Sequence, residues 1–125
     1  EDAWFGKTIV FQKNEHEISE MNITRTAEKE IRILFRMGEK EVEVHAGYEK
    51  WITQNAVFDD PRHFMNSFAY AFADDNTLIW KQYWLNMSGY DTYMLHYQGD
   101  VVNGMIITSV KLGGAVPVEL AGRVQ

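Results

Sequence analysis

The sequence predicts an all-β fold, a small antiparallel β-barrel that forms a single domain over residues 1–125. Three observations lead to this prediction. Short stretches in which apolar and polar residues alternate follow one another along the chain, and a period of two is typical of half-buried strands. Tight polar corners separate these stretches, and proline occurs only at Pro61 and Pro117, so almost every strand can be fully paired. Several short strands at regular spacing are typical of a barrel or a sandwich.

The clearest hairpin joins residues 65–73 to residues 77–85 through the corner Asp74-Asp75-Asn76. Asp and Asn side chains hydrogen-bond to their own backbone and tolerate left-handed dihedral angles, so they suit a tight reversal. The corner lacks the glycine and the glutamate of an EF-hand calcium loop, which excludes that kind of site. It is therefore predicted to be a turn.

The remaining strands follow from the same alternation, and nothing divides the chain into two domains. Residues 47–61 break the rhythm and are predicted to form a longer connection, with or without a helical turn. The other predicted strands cover residues 7–12, 18–25, 31–36, 42–45, 92–98, 101–112 and 116–123.

An amphipathic helix over residues 27–37 is the main alternative. Glu28 and Arg32 have the spacing of a helical ion pair. However, Ile31, Ile33 and Phe35 alternate strictly with the residues at 32, 34 and 36, and β-branched residues favour strands. The strand prediction is preferred.

Composition excludes several classes of protein. A net charge of −6 and the lack of a basic cluster argue against nucleic-acid binding, which depends on Lys and Arg. Cysteine is absent, so there are no disulfides, thiolate metal sites or thiol nucleophiles. No apolar run approaches the roughly 18–20 residues needed to span a bilayer.

No catalytic set is visible, so the chain is not predicted to be an enzyme and no cofactor is expected. The serines at 19, 67, 88 and 109 are not followed three residues later by lysine, the spacing at which lysine can activate a serine hydroxyl. A Gly-x-Ser-x-Gly element is missing as well. Asp59 and Asp60 precede Pro61 and are predicted to form a turn, because neighbouring carboxylates usually point apart.

A metal site or an enzyme active site built from histidine is a weaker alternative. His16, His45, His63 and His96 are not at metal-ligand spacing, and no metal site is predicted. His45 and His96 lie on predicted strands that a barrel could bring together. If the protein were an enzyme that uses these histidines, its pH-dependent turnover would be lost in His→Ala variants.

The aromatic residues are the candidates for binding a ligand or partner. Trp80 and Trp84 fall on one face of their strand, as do Tyr93 and Tyr97. These four residues could line a cavity for a small apolar ligand in a freestanding barrel, or they could fill its core. The full set of candidate residues is Trp51, Phe58, Trp80, Trp84, Tyr90, Tyr93 and Tyr97.

Four segments in order carry a family resemblance: Gly6–Phe11 (GKTIVF), Gly47–Trp51 (GYEKW), Phe72–Leu78 (FADDNTL) and Leu120–Arg123 (LAGR). Together they resemble the C-terminal domain attached to many bacterial serine hydrolases of the β-lactamase and penicillin-binding-protein family. The resemblance implies a lipocalin-like, eight-stranded antiparallel barrel that is a non-catalytic accessory domain.

The resemblance also implies a partner, the catalytic serine-hydrolase domain of the same polypeptide, which would hold the nucleophile. Because the chain starts at Glu1 rather than Met, it is expected to be either processed or cut from a larger protein, and the resemblance implies a larger hydrolase. Residues 47–61 and 86–90 are the expected contacts with the catalytic domain, and the barrel is expected to shape substrate access. The resemblance further implies a bacterial parent protein that is exported or membrane-associated.

Overall fold

The computed structural model of the protein describes residues 4–55, 65–84, 90–108 and 117–125. None of these residues belongs to a helix that could span a bilayer. They form ten β-strands, which are β1 (Lys7–Phe11), β2 (Ile18–Ala27), β3 (Glu30–Met37), β4 (Lys40–Tyr48), β5 (Ile52–Asn55), β6 (Met65–Asp74), β7 (Thr77–Trp84), β8 (Tyr90–Gln98), β9 (Val101–Thr108) and β10 (Val118–Val124).

Nine of the ten strands close into a barrel. Neighbouring strands follow the order β4-β3-β2-β1-β10-β9-β8-β7-β6, and β4 returns to pair with β6. This closing contact is parallel and short, because it joins only Gly47 to Ala69 and Tyr48 to Tyr70. The other strand pairs are antiparallel, and β5 pairs with the first residues of β6 from outside the ring. Most of β4 is therefore paired only with β3, and two residue pairs close the ring.

The predicted all-β barrel is confirmed, with a small error in the number of strands. The alternating stretches of the sequence correspond to the nine ring strands, one more than the eight that the family resemblance implies. Residues 52–55, predicted to lie in a connection, form the short strand β5. Residues 56–61 of that predicted connection are outside the described part of the chain. The short strand β5 is stabilised by pairing with β6 rather than by its own sequence pattern.

The strand prediction for residues 31–36 is confirmed and the helical alternative is wrong. β3 pairs along its length with β2 and with β4, so that Ile33 lies opposite both Ile23 and Val44. These side chains are fully buried. Burial of a period-two apolar face outweighs the single helical ion pair, which is worth only about 0.2–0.5 kcal/mol.

The barrel interior is filled with apolar side chains from all nine ring strands. Since successive residues of a strand point to opposite faces, the alternation in the sequence becomes an inner and an outer surface. The most deeply buried large side chains include Trp80, Phe35, Phe68, Met21, Leu78 and Leu95. This filled interior is the hydrophobic core that the described residues form.

Candidate functional site

An aromatic cluster occupies the middle of the barrel. Trp80 on β7 stacks on Tyr93 of β8, with 4.9 Å between ring centroids. Phe35 reaches both rings from β3, at 6.1 and 6.0 Å. All three side chains are almost completely buried. The cluster bridges two walls of the barrel and divides its interior into two ends.

One end, which we call the plugged end, is covered by the segment before β1. Trp4 is buried and its ring lies 5.9 Å from that of Tyr97. Phe5 packs edge-on against Phe72, and the Arg25 guanidinium lies 4.7 Å above the centre of the Phe5 ring. A cation over an aromatic face is attractive. The N-terminal segment therefore covers this end of the barrel.

The opposite end, which we call the polar end, has polar side chains on its inner wall. Gln82 lies opposite Asp91, and Asp91 lies opposite Thr108. All three residues share a face with the inward-pointing Trp80 and Tyr93. The Thr108 hydroxyl donates a hydrogen bond of 2.8 Å to Asp91 Oδ1. Gln82 is only 3% exposed, so a carboxylate and an amide lie side by side on the inner wall, next to apolar residues such as Phe68 and Trp80.

Apolar residues of the inner wall become more exposed toward both ends of the barrel. At the polar end Phe11, Met37, Val42 and Val118 are 5–9% exposed, and at the plugged end Phe72, Tyr97 and Val124 are partly buried. Mid-barrel residues such as Ile33 are 0% exposed. Solvent, and a ligand, can therefore approach the interior more easily at its ends than at its middle.

Two indole nitrogens in the interior make no hydrogen bond to the described residues. They are Nε1 of Trp4 and Nε1 of Trp80, and both are buried. An unsatisfied buried donor costs about 1–3 kcal/mol. A ligand atom that accepts a hydrogen bond would remove this cost.

The structure separates the aromatic candidates from the sequence into two groups. Trp80, Tyr93 and Tyr97 point into the barrel, whereas Trp51 and Tyr90 lie on its outer surface. The Trp84 backbone is at the polar end of β7, but its side chain is outside the described part of the structure, as is Phe58. Among the inward-facing candidates, Trp80 and Tyr93 are next to the polar residues Gln82 and Asp91 on the same strand faces. Tyr97 contacts Trp4 at the plugged end.

The outer candidates join Tyr83 in an exposed aromatic patch, defined as Trp51, Tyr83 and Tyr90. The Trp51 and Tyr83 rings are 5.9 Å apart, and Tyr83 stacks on Tyr90 at 6.0 Å. Their exposed fractions are 51%, 40% and 36%. Trp51 also borders a shallow groove of about 170 Å³ beside Ala69 and Ile79. The patch is a second candidate site, on the outside of the barrel.

The structure does not bring His45 and His96 into one site. His45 on β4 contacts the carboxylates of Glu43 and Glu30, at 3.0 and 3.4 Å. His96 on β8 hydrogen-bonds through Nδ1 to the Thr77 hydroxyl, at 2.9 Å. In the ring, β6 and β7 lie between the two strands. His63 and the Asp59-Asp60 pair are outside the described residues.

The Asp74 corner is a turn, as predicted. Asp74 Oδ1 accepts a hydrogen bond of 2.8 Å from the backbone N–H of Asn76. This bond, with a second from the Thr77 side chain, holds the pKa of the Asp74 carboxyl below its ordinary value. The site therefore stabilises an ionised carboxylate at the surface.

Sequence inspection missed the polar cluster of Gln82, Asp91 and Thr108. Its signal was present, because Gln82 is two residues from Trp80 and Asp91 is two residues from Tyr93. Each is thus a polar residue on an otherwise aromatic face. A polar residue on such a face indicates a ligand site only once the face is known to point into the barrel.

Comparison with known proteins gives a match at the level of structure only. No protein-family model matches the sequence, and no curated protein does. A fatty-acid-binding protein from brain tissue of Drosophila melanogaster superimposes with a TM-score of 0.70 at 10% identity, covering 96% of this chain and 98% of that one. The chain has the fold of a lipocalin-like barrel of the fatty-acid-binding-protein type.

Two further structures agree with this fold. The Schistosoma mansoni fatty-acid-binding protein in complex with arachidonic acid gives a TM-score of 0.70 at 8% identity, covering 98% of this chain and 97% of that one. Fatty-acid-binding protein 1 of Echinococcus granulosus gives 0.69 at 10% identity, with 98% of each chain covered. At such low identity the likeness concerns the fold and not the ligand.

Proposed function

We propose that this protein is a non-enzymatic binding protein that takes up a small amphiphilic molecule at the polar end of its barrel. The observation that carries the proposal is the inward-facing cluster of Gln82, Asp91 and Thr108. Ligand sites are mostly apolar with a few well-placed polar groups that fix the ligand's orientation. The polar end has this composition, since apolar residues make up the rest of its inner wall among the described residues.

The packed core determines how deep the ligand lies. Trp80 and Tyr93 fill the centre of the barrel, so the ligand is held near the end and is not enclosed along the whole axis. Its apolar body contacts Phe11, Met37 and Val118, the interior residues that are slightly exposed there. Burying that body supplies about 25 cal/mol for each Å² of apolar surface.

The charge of Asp91 determines the preferred head group. An ionised carboxylate accepts hydrogen bonds and repels a second carboxylate. Among the described residues of the inner wall at this end, none is Lys or Arg. The ligand head is therefore a hydrogen-bond donor, such as a hydroxyl or a protonated amine. Several structural neighbours are named as fatty-acid-binding proteins, which supports an apolar body, but a fatty-acid head does not suit Asp91.

The test is a titration that compares head groups on one chain length. Decanol, decylamine and decanoate are added to the protein at neutral pH, and tryptophan fluorescence is followed. We expect saturable changes with decanol and decylamine, at least about tenfold tighter than with decanoate, because each 1.4 kcal/mol is tenfold in affinity. The change should be kept in Trp51→Phe, because Trp51 lies on the outer surface of the barrel.

The variant Asp91→Asn tests the head-group assignment itself. It removes the negative charge while keeping a side chain of the same shape, so the preference against decanoate should disappear. Thr108→Ser, which keeps the hydroxyl that donates to Asp91, is the matched control. If none of the three compounds binds saturably, or if Asp91→Asn leaves their order unchanged, the proposal is wrong.

A second candidate function is the accessory domain that the family resemblance implies, packed on a serine-hydrolase domain. The structural comparisons give this candidate no support. One observation favours it, the exposed aromatic patch of Trp51, Tyr83 and Tyr90. Residues 51 and 90 lie in the segments expected to contact a catalytic domain. Trp and Tyr are enriched in interfaces.

This candidate is tested by sequencing the source gene upstream of Glu1 and expressing the longer product. If a Ser-x-x-Lys hydrolase domain is encoded there, hydrogen exchange at β7 and β8 should slow in the longer protein. Equal exchange in both forms, or an upstream sequence with no such domain, would rule the candidate out.

A further inference from the structure

The outer surface of the barrel has a groove that the proposed ligand site does not use. It has a volume of about 410 Å³ and crosses β8, β9 and β10. Met94 and His96 line it from β8, Asn103 and Met105 from β9, and Glu119 from β10. These residues alternate with the buried Tyr93, Leu95 and Ile106, so the groove lies outside the core.

The strand register brings two methionines and a histidine together. Met94 lies directly opposite Met105, and His96 is two residues from Met94 on the same face. Directly opposite residues have Cβ atoms about 4.5–5.5 Å apart, and diagonal neighbours are about 7–8 Å apart. A methionine side chain has three rotatable bonds. Two thioether sulfurs and one imidazole can therefore meet at a single point in the groove.

A hydrogen bond orients the histidine. The Thr77 hydroxyl oxygen lies 2.9 Å from His96 Nδ1. When the ring proton is on Nδ1, that N–H donates to the Thr77 oxygen. In this tautomer the lone pair on Nε2 of His96 can bind a metal ion. Metal-binding histidines are commonly held in this way through their other ring nitrogen.

We propose that this groove binds a soft monovalent metal ion, Cu⁺ or Ag⁺, through the sulfurs of Met94 and Met105 and through Nε2 of His96. Thioether sulfur is a soft ligand that selects Cu⁺ over hard cations. Within the described part of the chain, His, Asp and Glu side chains form no group of three that could hold a metal. The ligand set therefore disfavours Zn²⁺, Ca²⁺ and Mg²⁺.

The surrounding charge favours a cation. Glu119 lies opposite Met105 and lines the groove, and the whole chain has a net charge of −6. The three proposed ligands are neutral, so a bound Cu⁺ keeps its full positive charge. A nearby carboxylate stabilises that charge without being a ligand.

The first experiment adds Ag⁺ to the protein in chloride-free buffer and follows the methionine methyl groups by NMR. Six methionines are present, and we expect the methyl signals of Met94 and Met105 to shift, with saturation at one equivalent. A competition with a chromophoric Cu⁺ chelator under anaerobic conditions then gives the affinity. Zn²⁺ at the same concentrations should cause no saturable shift.

Matched variants make the assignment falsifiable. Met94→Leu, Met105→Leu and His96→Gln should each weaken Cu⁺ binding by at least about tenfold. Met37→Leu replaces a methionine on the inner face, and His45→Gln replaces a histidine on β4. Both controls should bind as the parent protein does. Circular dichroism confirms that each variant is folded.

Thr77→Val tests the positioning role. Removing the hydroxyl should weaken Cu⁺ binding by about 10–100-fold and change the ¹⁵N shifts of the His96 ring, because Nδ1 loses its acceptor. Absence of binding at one equivalent overturns the proposal. The proposal is also overturned if the affinity for Cu⁺ is unchanged in Met94→Leu and Met105→Leu, or if Zn²⁺ binds as tightly as Cu⁺.

Discussion

The indole ring of Trp80 and the phenol ring of Tyr93 lie nearly parallel, with an angle of 11° between their planes. The register accounts for this contact, since the two residues are directly opposite each other on β7 and β8. Aromatic pairs of this kind are worth about 0.5–1.5 kcal/mol beyond the area that they bury. Phe35 from β3 contacts both rings. The stack therefore couples two walls of the barrel at its centre.

Replacing Trp80 by alanine should strongly destabilise the protein. We expect the free energy of unfolding to fall by about 3–5 kcal/mol, since a fully buried aromatic side chain is lost and a cavity remains. Urea denaturation followed by circular dichroism measures this. Trp51→Ala is the control, because that side chain is 51% exposed and should cost much less. Equal losses in the two variants would contradict a central role for the stack.

Gly104→Ala should destabilise the sheet, although it adds a single methyl group. A Cβ atom at this position would lie 2.4 Å from the Met94 carbonyl oxygen and 2.5 Å from Leu95 Cδ2. Relief of such overlap requires a backbone shift, which costs about 1–3 kcal/mol. Thermal unfolding should show a lower midpoint than for Asn103→Ala, a change at an exposed neighbour. A midpoint equal to that of the control would show that β8 and β9 can move apart at this position without a loss of stability.

Asn14→Ala should weaken the connection between β1 and β2. The Asn14 side chain donates hydrogen bonds to the carbonyls of Gln12 and Ile18, at 3.0 and 2.8 Å, and accepts one from the Ile18 N–H at 3.1 Å. We expect a loss of about 1.5–4.5 kcal/mol, at about 0.5–1.5 kcal/mol for each of the three bonds. Lys13→Ala, in the same turn, should change the urea midpoint little. A similar loss in both variants would argue against the Asn14 bridge.

Asp74→Asn should make the protein less sensitive to acid. The folded pKa of Asp74 is lowered from the ordinary value of 3.8 by the Asn76 N–H first and the Thr77 side chain second. A depressed folded pKa gives stability that is present at higher pH and is lost as the pH falls below the unfolded value. Urea midpoints measured from neutral pH down through this range should therefore decline less in the variant.

Asp75→Asn is the control for this pH series, because it removes a charge from the same turn and leaves the Asp74 carboxylate in place. Its urea midpoints should decline with acid as those of the parent protein do. If Asp74→Asn declines as steeply as the control, the hydrogen bonds to Asp74 do not contribute to the pH dependence.

The local parts of the fold were predictable from the sequence. Ile31, Ile33 and Phe35 alternate in a way that fixes a strand, and Asp74 and Asn76 have the side chains that a tight turn requires. Strand β5 was not predictable, because Ile52–Asn55 carries little alternation and is held by its pairing with β6.

The sites depended more heavily on tertiary structure. The aromatic candidates mixed inner residues such as Trp80 with outer residues such as Trp51, since alternation defines two faces without saying which is inside. The methionine and histidine groove was hidden for a related reason. Met94 and Met105 are eleven positions apart in the chain, and only the pairing of β8 with β9 places them opposite each other.

The sequence by itself determined an all-β domain, because apolar residues with a period of two lie on one face of a strand, and a sheet buries that face. It also determined the absence of cysteine chemistry and the acidic net charge. Tertiary structure alone decided how the sheet closes, through the parallel contact of β4 with β6. It also decided which residues share the polar end and the groove. Closure and register depend on contacts between residues far apart in the chain, and these contacts leave no mark on local sequence.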